Sequence, residues 1–200
     1  MLFEVQSLAG RRGRRPVFRD ISFTLSAGDV LLVTGPNGSG KSSLLRVLAG
    51  LLSPADGVMR WAGQPIDPAL HKTRLHYLGH LDAVKPELTA AEMMDYWRTV
   101  FAPSSSQKLP ENFGLQNVTD KPTRYLSAGQ KRRLALTRLL IHDMPLWLLD
   151  EPATALDRDG QELLSSLIAQ HRAKGGIAII AAHQDVKLPD AQLLTLGKAT

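Results

Sequence analysis

One stretch of the sequence has the residue types and spacing needed to bind a phosphate group. It reads Gly35-Pro36-Asn37-Gly38-Ser39-Gly40-Lys41-Ser42 and fits the pattern G-x-x-x-x-G-K-[ST]. Glycine lets the backbone approach a ligand closely, and free amide groups beside a helix N-terminus attract an anion. Lys41 would reach the β- and γ-phosphates of a nucleotide, and the Ser42 hydroxyl would bind Mg²⁺. The candidate ATP-binding residues here are Gly35, Pro36, Asn37, Gly38, Ser39, Gly40, Lys41, Ser42 and Ser43.

The elements on either side of this loop are those that such a loop requires. The apolar run Val30-Leu31-Leu32-Val33 predicts a short buried strand before it. Helical spacing of apolar residues after it predicts a helix from Lys41 to about Leu52, which stops at Ser53-Pro54. A strand, a glycine-rich turn and a helix in this order make a chance match to the pattern the weaker interpretation.

A second candidate for chemistry is the pair of acids that follows another apolar run. Leu146-Trp147-Leu148-Leu149 predicts a buried strand, and Asp150, Glu151 and Pro152 come next. Ligand sites of open α/β sheets lie at the carboxyl ends of strands, so Asp150 can approach Ser42 and hold Mg²⁺ through water. Glu151 would accept a proton from an attacking water molecule. The alternative, a helix cap, fits poorly between a buried strand and a proline.

Composition restricts the class of protein. The chain is 44% hydrophobic and 22% charged, and no apolar run approaches the ~20 residues of a membrane span. Its first residues read as a strand and not as a signal peptide, so we expect a cytoplasmic protein. The chain has no cysteine, which excludes disulfides and thiolate metal sites. A net charge of +5 is compatible with a nucleotide, nucleic acid or a membrane surface as partner.

The order of the remaining elements indicates an α/β fold. Residues 2–8 and 17–25 predict strands, and after residue 29 strands alternate with helices, as in a parallel sheet. The basic turn 11–15 either contacts a nucleotide or lipid headgroups, or is a solvated hairpin tip. Thr89 and Glu92 form a capping box that opens a helix to about Phe101, whose apolar residues belong to a core or to a docking face.

A third motif, Leu126-Ser127-Ala128-Gly129-Gln130, precedes Asp150 by 20 residues and opens a predicted helix to about His142. With the two other motifs it resembles the ATP-binding subunits of ABC transporters, whose signature is Leu-Ser-Gly-Gly-Gln. The resemblance implies an α/β P-loop NTPase core with an N-terminal antiparallel β subdomain and a small α-helical subdomain. It also implies one ABC ATPase domain, with residues 1–79 and 143–200 as the core and 80–142 as the helical subdomain.

The resemblance further implies how the sites work. ATP and Mg²⁺ are bound between two copies packed head to tail, with the phosphate loop of one facing the signature of the other. Ser127 and the Gly129 amide, at a helix start, offer the second anion-binding end. One chain carries one loop and one signature, so a homodimer is expected. Asp157 matches the family's loop at the dimer interface, and His183 matches the histidine that contacts the γ-phosphate.

Two positions depart from the family pattern. His80 stands where the family usually has a glutamine, nine residues before Thr89, and the charge of an imidazole depends on pH. The family also stacks adenine on an aromatic ring. By spacing that position lies near Arg12, with Phe18 further on, and a guanidinium plane can stack on a base.

The short length and motif details look most like the subfamily that serves cytochrome c maturation, the haem exporter ATPases. That similarity implies integral membrane subunits as partners and a peripheral place on the cytoplasmic face of a bacterial inner membrane. No direct binding of haem and no nucleic-acid partner is expected. The alternatives are an ABC transporter ATPase for another substrate, a soluble ABC ATPase acting on nucleic acid or ribosomes, a small-molecule kinase, or a module that binds ATP and barely hydrolyses it.

Overall fold

The computed structural model describes residues 2–101, 113–182, 188 and 190–197. In chain order the strands are β1 (Leu2–Arg12), β2 (Arg15–Ser26), β3 (Val30–Thr34), β4 (Asp56–Trp61), β5 (Gln64–Pro65), β6 (Leu75–Leu78), β7 (Leu146–Asp150), β8 (Ile177–Ala181) and β9 (Gln192–Thr195). The α-helices are α1 (Lys41–Leu48), α2 (Pro68–Lys72), α3 (Ala90–Phe101), α4 (Ala128–Leu136), α5 (Arg138–Ile141) and α6 (Arg158–Ala173). None of the helices in these ranges is long and apolar enough to cross a membrane.

The strands form two sheets. An antiparallel sheet has the order β2-β1-β4-β5, and a second sheet has the order β6-β7-β8-β3-β9 with every neighbouring pair parallel. All residues of β3, β7 and β8 are buried, which explains why these segments are apolar without alternation. The predicted fold class, a parallel α/β core with an N-terminal antiparallel β part, is confirmed.

The chain divides into two compact units. The first contains residues 1–79, 144–151 and 168–200, and the second contains 80–143 and 152–167. In the first unit Phe3, Leu25 and Leu45 are fully buried, whereas the second has its own core around Met93, Trp97 and Leu134. In α3, Met93 and Trp97 are buried, while Tyr96 and Val100 are 41% and 54% exposed. The helix therefore contributes to a core and also presents apolar side chains to solvent.

Two predicted helices end earlier in the structure. α1 ends at Leu48 instead of Leu52, because Gly50 adopts a left-handed backbone (φ +69°) and amides beyond it bond back to Arg46 O. The helix after the signature breaks at Thr137, whose hydroxyl donates to Leu134 O at 2.7 Å. The end of α1 depends on backbone hydrogen bonds and the break at Thr137 involves a side-chain hydroxyl, and neither is visible in the apolar pattern that was used to predict the helices.

The sequence analysis also missed the short helix α2. Asp67 is its N-cap, and its carboxylate accepts hydrogen bonds from the amides of Ala69 and Leu70 at 2.8 and 3.2 Å. Pro68 is the first helical residue, where its fixed φ fits and its missing N–H costs nothing. The Asp67-Pro68 pair is a typical helix start, so the sequence contained a signal from which α2 could have been predicted.

Candidate functional site

The phosphate loop lies between the carboxyl end of β3 and the first residue of α1. Val33 in the strand and Leu44 and Leu48 in the helix are fully buried in one core cluster. Leu146 and Leu148 of β7 belong to the same cluster, so α1 packs beside the strand that ends in the two acids. Packing therefore fixes the loop from both ends.

Glycine is required at two positions of the loop by its surroundings. Gly40 caps α1 with φ +101°, and a Cβ there would lie 2.5 Å from Val17 Cγ1. Gly35 has φ +142°, and a Cβ would meet Ser39 Oγ at 2.8 Å. Both positions combine a backbone conformation that other residues rarely adopt with contacts that leave no room for a side chain. The close turn that exposes the loop amides depends on both.

The side chains of the loop have different roles. Lys41 is 6% exposed, and its ammonium donates to Gly35 O at 2.8 Å and to Pro36 O at 3.3 Å. These bonds hold the positive charge against the loop. Ser39 is 1% exposed and its amide already donates to Pro36 O, so this predicted ATP-binding residue contributes to loop structure. Ser42 and Ser43, in the first turn of α1, are half-buried.

A cavity of about 670 Å³ joins the loop to other predicted residues. Its size is within the range of ligand pockets. Arg12 and Arg15 of the β1–β2 hairpin line it together with the loop, and Glu151 lines it from the end of β7. The complete lining is Arg12, Arg15, Pro16, Val17, Asn37, Gly38, Gly40, Lys41, Ser42, Ser43 and Glu151. The cavity therefore has several positive groups and one carboxylate.

The two acids have different environments. Asp150 is the last residue of β7 and is 1% exposed. Glu151 has a left-handed backbone with φ +48°, and its amide donates to Ala181 O at 2.8 Å. This backbone turn ends the strand and directs the chain out of the sheet. Burial raises the pKa of Tyr77, a hydrogen bond with Arg46 opposes that rise, and the negative charge of Asp150 adds to it.

Ser42 and Asp150 carry the oxygen donors that a magnesium ion shared with a nucleotide requires, and of the two only Ser42 lines the cavity. Mg²⁺ in nucleotide sites is held by one or two protein oxygen ligands, phosphate oxygens and water. Ser42 supplies a hydroxyl and Asp150 a carboxylate, both of which are hard oxygen donors. Within the described ranges no group of three or more His, Asp or Glu side chains is arranged to hold a metal ion alone.

In the second unit, the predicted signature opens α4 with a capping box. Ser127 Oγ accepts a hydrogen bond from Gln130 N at 3.2 Å, and Gln130 Oε1 accepts one from Ser127 N at 2.9 Å. Leu126 is 4% exposed, whereas Ser127 and Ala128 are exposed. Leu126 thus anchors the motif, while Ser127 and Ala128 face outward. The Ser-x-x-Gln spacing was a visible signal for this cap.

Two arginines that follow the signature organise the same unit, and the sequence analysis gave them no role. Arg132 is 3% exposed and donates to Pro152 O and to Asp82 Oδ1, each at 3.0 Å. Arg133 pairs with Asp157, and the hydrogen bond from this guanidinium holds the Asp157 pKa below its usual range. Asp157 Oδ1 also accepts the amide of Gly160 at 2.9 Å at the start of α6. The two guanidinium groups thus link α4 to the segment after the acids.

The other predicted residues have separate outcomes. Arg12 lines the cavity of the phosphate loop, as its predicted role requires. Phe18 is 5% exposed, belongs to the core cluster and is not among the residues that line the cavity of the phosphate loop. His80 is exposed at the start of the second unit. His183 lies outside the described residues.

Comparison with known proteins places these motifs in a family. The family model for "ABC transporter" matches residues 18–154. The chain is 48% identical to the "Cytochrome c biogenesis ATP-binding export protein CcmA" of Paramagnetospirillum magneticum, over 98% of this chain and 94% of that protein. The proteins of the same name from Rhodospirillum rubrum and Nitrosococcus oceani are 48% and 45% identical, over 98% and 97% of this chain and 85% and 91% of theirs.

Solved structures agree on the fold. A putative ABC transporter ATP-binding protein from Pyrococcus furiosus superimposes with a TM-score of 0.83 over 98% of both chains, at 24% identity. An ATP-binding subunit of an ABC transporter matches with a TM-score of 0.82 at 24% identity, over 92% of this chain and 80% of that one. The family resemblance expected from the motifs is confirmed. The chain belongs to the ABC transporter family as an ATP-binding, ATP-hydrolysing protein, and its relatives within that family include the CcmA proteins.

Proposed function

We propose that this chain hydrolyses ATP as a homodimer, with each nucleotide held between the phosphate loop of one copy and the signature of the other. One observation carries the proposal: the loop, its lysine and Glu151 line a single cavity. Ser127 is exposed at a helix N-terminus and retains a hydroxyl proton to donate, because the capping bond uses only an oxygen lone pair. A second copy would bring this group to the γ-phosphate.

We assign each residue a role in this proposed mechanism. Lys41 and the loop amides bind the phosphates, and Arg12 covers the base or ribose side of the cavity. Glu151 orients the attacking water and takes its proton, while Ser42 and Asp150 would hold Mg²⁺. The ion would neutralise charge that develops on the phosphate oxygens. Ser127, Gly129 and Asp157 of the partner copy, and His183, complete the site around the γ-phosphate.

The names of the relatives support an assignment of the process. We infer that the ATPase powers an export step of cytochrome c biogenesis and that the step serves haem delivery. Integral membrane subunits are the expected partners, and the chain would sit peripherally on the cytoplasmic face of the inner membrane. Tyr96 and Val100 of α3 supply exposed apolar surface for such a contact. Neither haem nor nucleic acid is expected to bind this chain directly.

The decisive experiment replaces the proposed base with its neutral isostere. Glu151→Gln keeps the shape of the side chain but cannot take a proton from water, so we expect ATP turnover to fall at least about 100-fold while ATP binding persists. The same variant should accumulate as an ATP-bound dimer, measured by size-exclusion chromatography with light scattering. Glu162→Gln on α6 is the matched control, since Glu162 is exposed and contacts Arg158. Unchanged turnover in Glu151→Gln would refute the assignment.

A second measurement tests the partners. Affinity purification from cells should recover integral membrane proteins with the wild-type chain and no bound RNA or DNA. Recovery of nucleic acid without membrane proteins would favour the alternative of a soluble ABC ATPase.

A further inference from the structure

The antiparallel sheet contains a second cavity that the ATPase mechanism does not use. Its volume is about 460 Å³. It is lined by Ser7, Ala9, Gly10, Arg11, Arg14, Pro16, Phe18, Arg19, Asp20, Ala55 and Asp56, all of which lie in the first unit. None of its residues belongs to the phosphate loop.

The cavity lies where β1 loses regular pairing with both of its neighbours. Against β2 the register passes from Leu8↔Ile21 to Gly10↔Phe18, so one residue of β1 lies opposite Arg19 and Asp20 together. Against β4 the register passes from Gln6↔Val58 to Ala9↔Asp56. Here two residues of β1 lie opposite a single residue of β4, so the extra residue is on β1. Bulges bend strands and redirect side chains, and they are common beside functional sites. Two of them at one place create a depression that a regular sheet lacks.

The floor of this depression is apolar and tightly packed. Phe18 is 5% exposed, and its ring lies against Gly10 so closely that any Cβ at Gly10 would overlap it. Ala9, Pro16 and Ala55 supply further apolar surface. These apolar residues can therefore contact the carbon part of a ligand. The charged residues around the cavity determine which ligand charge is favoured.

The rim is dominated by arginine. Arg11, Arg14 and Arg19 are exposed, and among the described residues none of them has a carboxylate within 4.0 Å. Asp20 and Asp56 also line the cavity, and Asp56 Oδ1 accepts the amide of Gly57 at 2.7 Å. Three guanidinium groups against two carboxylates leave an excess of positive charge. The planar guanidinium fork matches phosphate geometry, and carboxylates can accept hydrogen bonds from ligand hydroxyl groups.

The basic hairpin is thereby divided between two sites. Arg12 and Arg15, which pair across the β1–β2 ladder, line the ATP cavity, whereas Arg11 and Arg14 line the second one. Successive residues of a strand point to opposite faces, which explains how adjacent arginines reach different cavities. Pro16 lines both. Nucleotide binding therefore accounts for only half of the basic turn.

We propose that the cavity of Arg11, Arg14 and Arg19 is a second anion site, which binds a phosphate ester carrying hydroxyl groups and is separate from the ATP pocket. The guanidinium groups bind the phosphate, Asp20 and Asp56 accept the hydroxyl groups, and Phe18 and Pro16 contact the carbon skeleton. The ligand is either a free phosphate ester or a lipid headgroup of that chemistry.

The test uses full-length protein saturated with a non-hydrolysable ATP analogue, so that the first pocket is occupied. Glycerol phosphate is titrated by calorimetry, and vesicles of phosphatidylglycerol or phosphatidylcholine are assayed by co-sedimentation. The triple variant Arg11→Gln, Arg14→Gln and Arg19→Gln should lose binding at least tenfold and keep its affinity for the ATP analogue. The triple variant Lys72→Gln, Arg74→Gln and Lys121→Gln is the control, because it removes equal charge at exposed positions elsewhere.

The outcomes distinguish a free phosphate ester from a lipid headgroup, and they also show whether the proposal is wrong. Binding of glycerol phosphate without a preference for phosphatidylglycerol vesicles identifies a free ester, and binding of those vesicles above phosphatidylcholine identifies a headgroup. Failure of both probes overturns the proposal, as does an equal loss in the two triple variants, which would mean attraction by net charge alone. Circular dichroism establishes that both triple variants are folded. These measurements do not depend on ATP hydrolysis. The second anion site can therefore be confirmed or refuted independently of the proposed function.

Discussion

The helices α1 and α4 both begin at motifs that the family uses on phosphate, but they are built in opposite ways. At α1 the N-cap is Gly40, which has no side chain to accept hydrogen bonds from the first amides. At α4 the first turn is closed by the reciprocal bonds of Ser127 and Gln130. The first helix can thus bind an anion with bare backbone amides, while the second presents an oriented hydroxyl.

In α1, side-chain hydrogen bonds hold the C-terminus of the helix and not its N-terminus. Trp61 Nε1 donates to His71 Nδ1 at 3.1 Å, and His71 Nε2 lies 2.6 Å from Leu48 O. An indole N–H can only donate, so Nδ1 accepts and Nε2 carries the proton that is donated to Leu48 O. A buried neutral imidazole therefore holds the last turn of α1. In α1 the stabilising contacts lie at the end away from the phosphate loop, whereas in α4 the capping residues are the same ones that are proposed to contact the γ-phosphate.

The largest expected effect comes from the open end of α1. Lys41→Ala removes the positive group that the loop carbonyls hold against the phosphate site, and we expect ATP turnover to fall about 100-fold or more. Phosphate release measures it. Lys72→Ala, at an exposed lysine that ends α2, should keep wild-type turnover. Equal turnover in both variants would contradict the role of Lys41.

At α4 the comparison predicts that the two roles of Ser127 can be separated. Ser127→Ala removes the cap and the hydroxyl, so we expect the free energy of unfolding to fall by about 1 kcal/mol and turnover to fall as well. Ser127→Asp restores a good cap but sets a negative charge toward the γ-phosphate. It should unfold within about 0.5 kcal/mol of wild type, yet lose turnover at least tenfold.

Urea denaturation and phosphate release, run on both Ser127 variants, make the distinction. If Ser127→Asp hydrolysed ATP as wild type does, the serine would be only a helix cap and the two-copy site would lose its support.

The smallest expected effect concerns the closed end of α1. Burial lowers the pKa of His71, while its hydrogen bond to Leu48 opposes that shift. The unfolded chain then takes up a proton first as pH falls below about 6.5, so the stabilising contribution of His71 is complete above that pH and is lost toward the folded pKa. Urea unfolding at pH 7.5 and 5.5 should show a smaller loss in His71→Gln than in wild type. A loss of the same size in both proteins would assign the pH dependence to other groups.

The sequence predicted those features that depend on local pattern. The phosphate loop between β3 and α1, the acids at the end of β7 and the Thr89–Glu92 capping box all follow from residue type and spacing. The box is present, with Glu92 Oε2 accepting the Thr89 amide at 2.8 Å. The roles of the site residues and the domain boundaries stay predictions.

Features that depend on partners distant in sequence could not be predicted. The environment of Arg132 is set by Asp82 and Pro152, which lie 50 and 20 residues away. Likewise, nothing in the alternating pattern of β1 predicts its register shifts against β2 and β4, because a register shift is a property of a pair of strands. The second cavity therefore became visible only in the folded chain, although its arginines were conspicuous in the sequence.

The backbone angle of Glu151 has a cost in stability. A non-glycine residue at φ +48° typically costs on the order of 1 kcal/mol, and glycine would adopt that conformation without strain. Glycine at this position would relieve the backbone strain, and under the proposed mechanism it would also remove the group that takes the proton from water. Thermal stability and the proposed catalytic role therefore make opposing demands on this one residue.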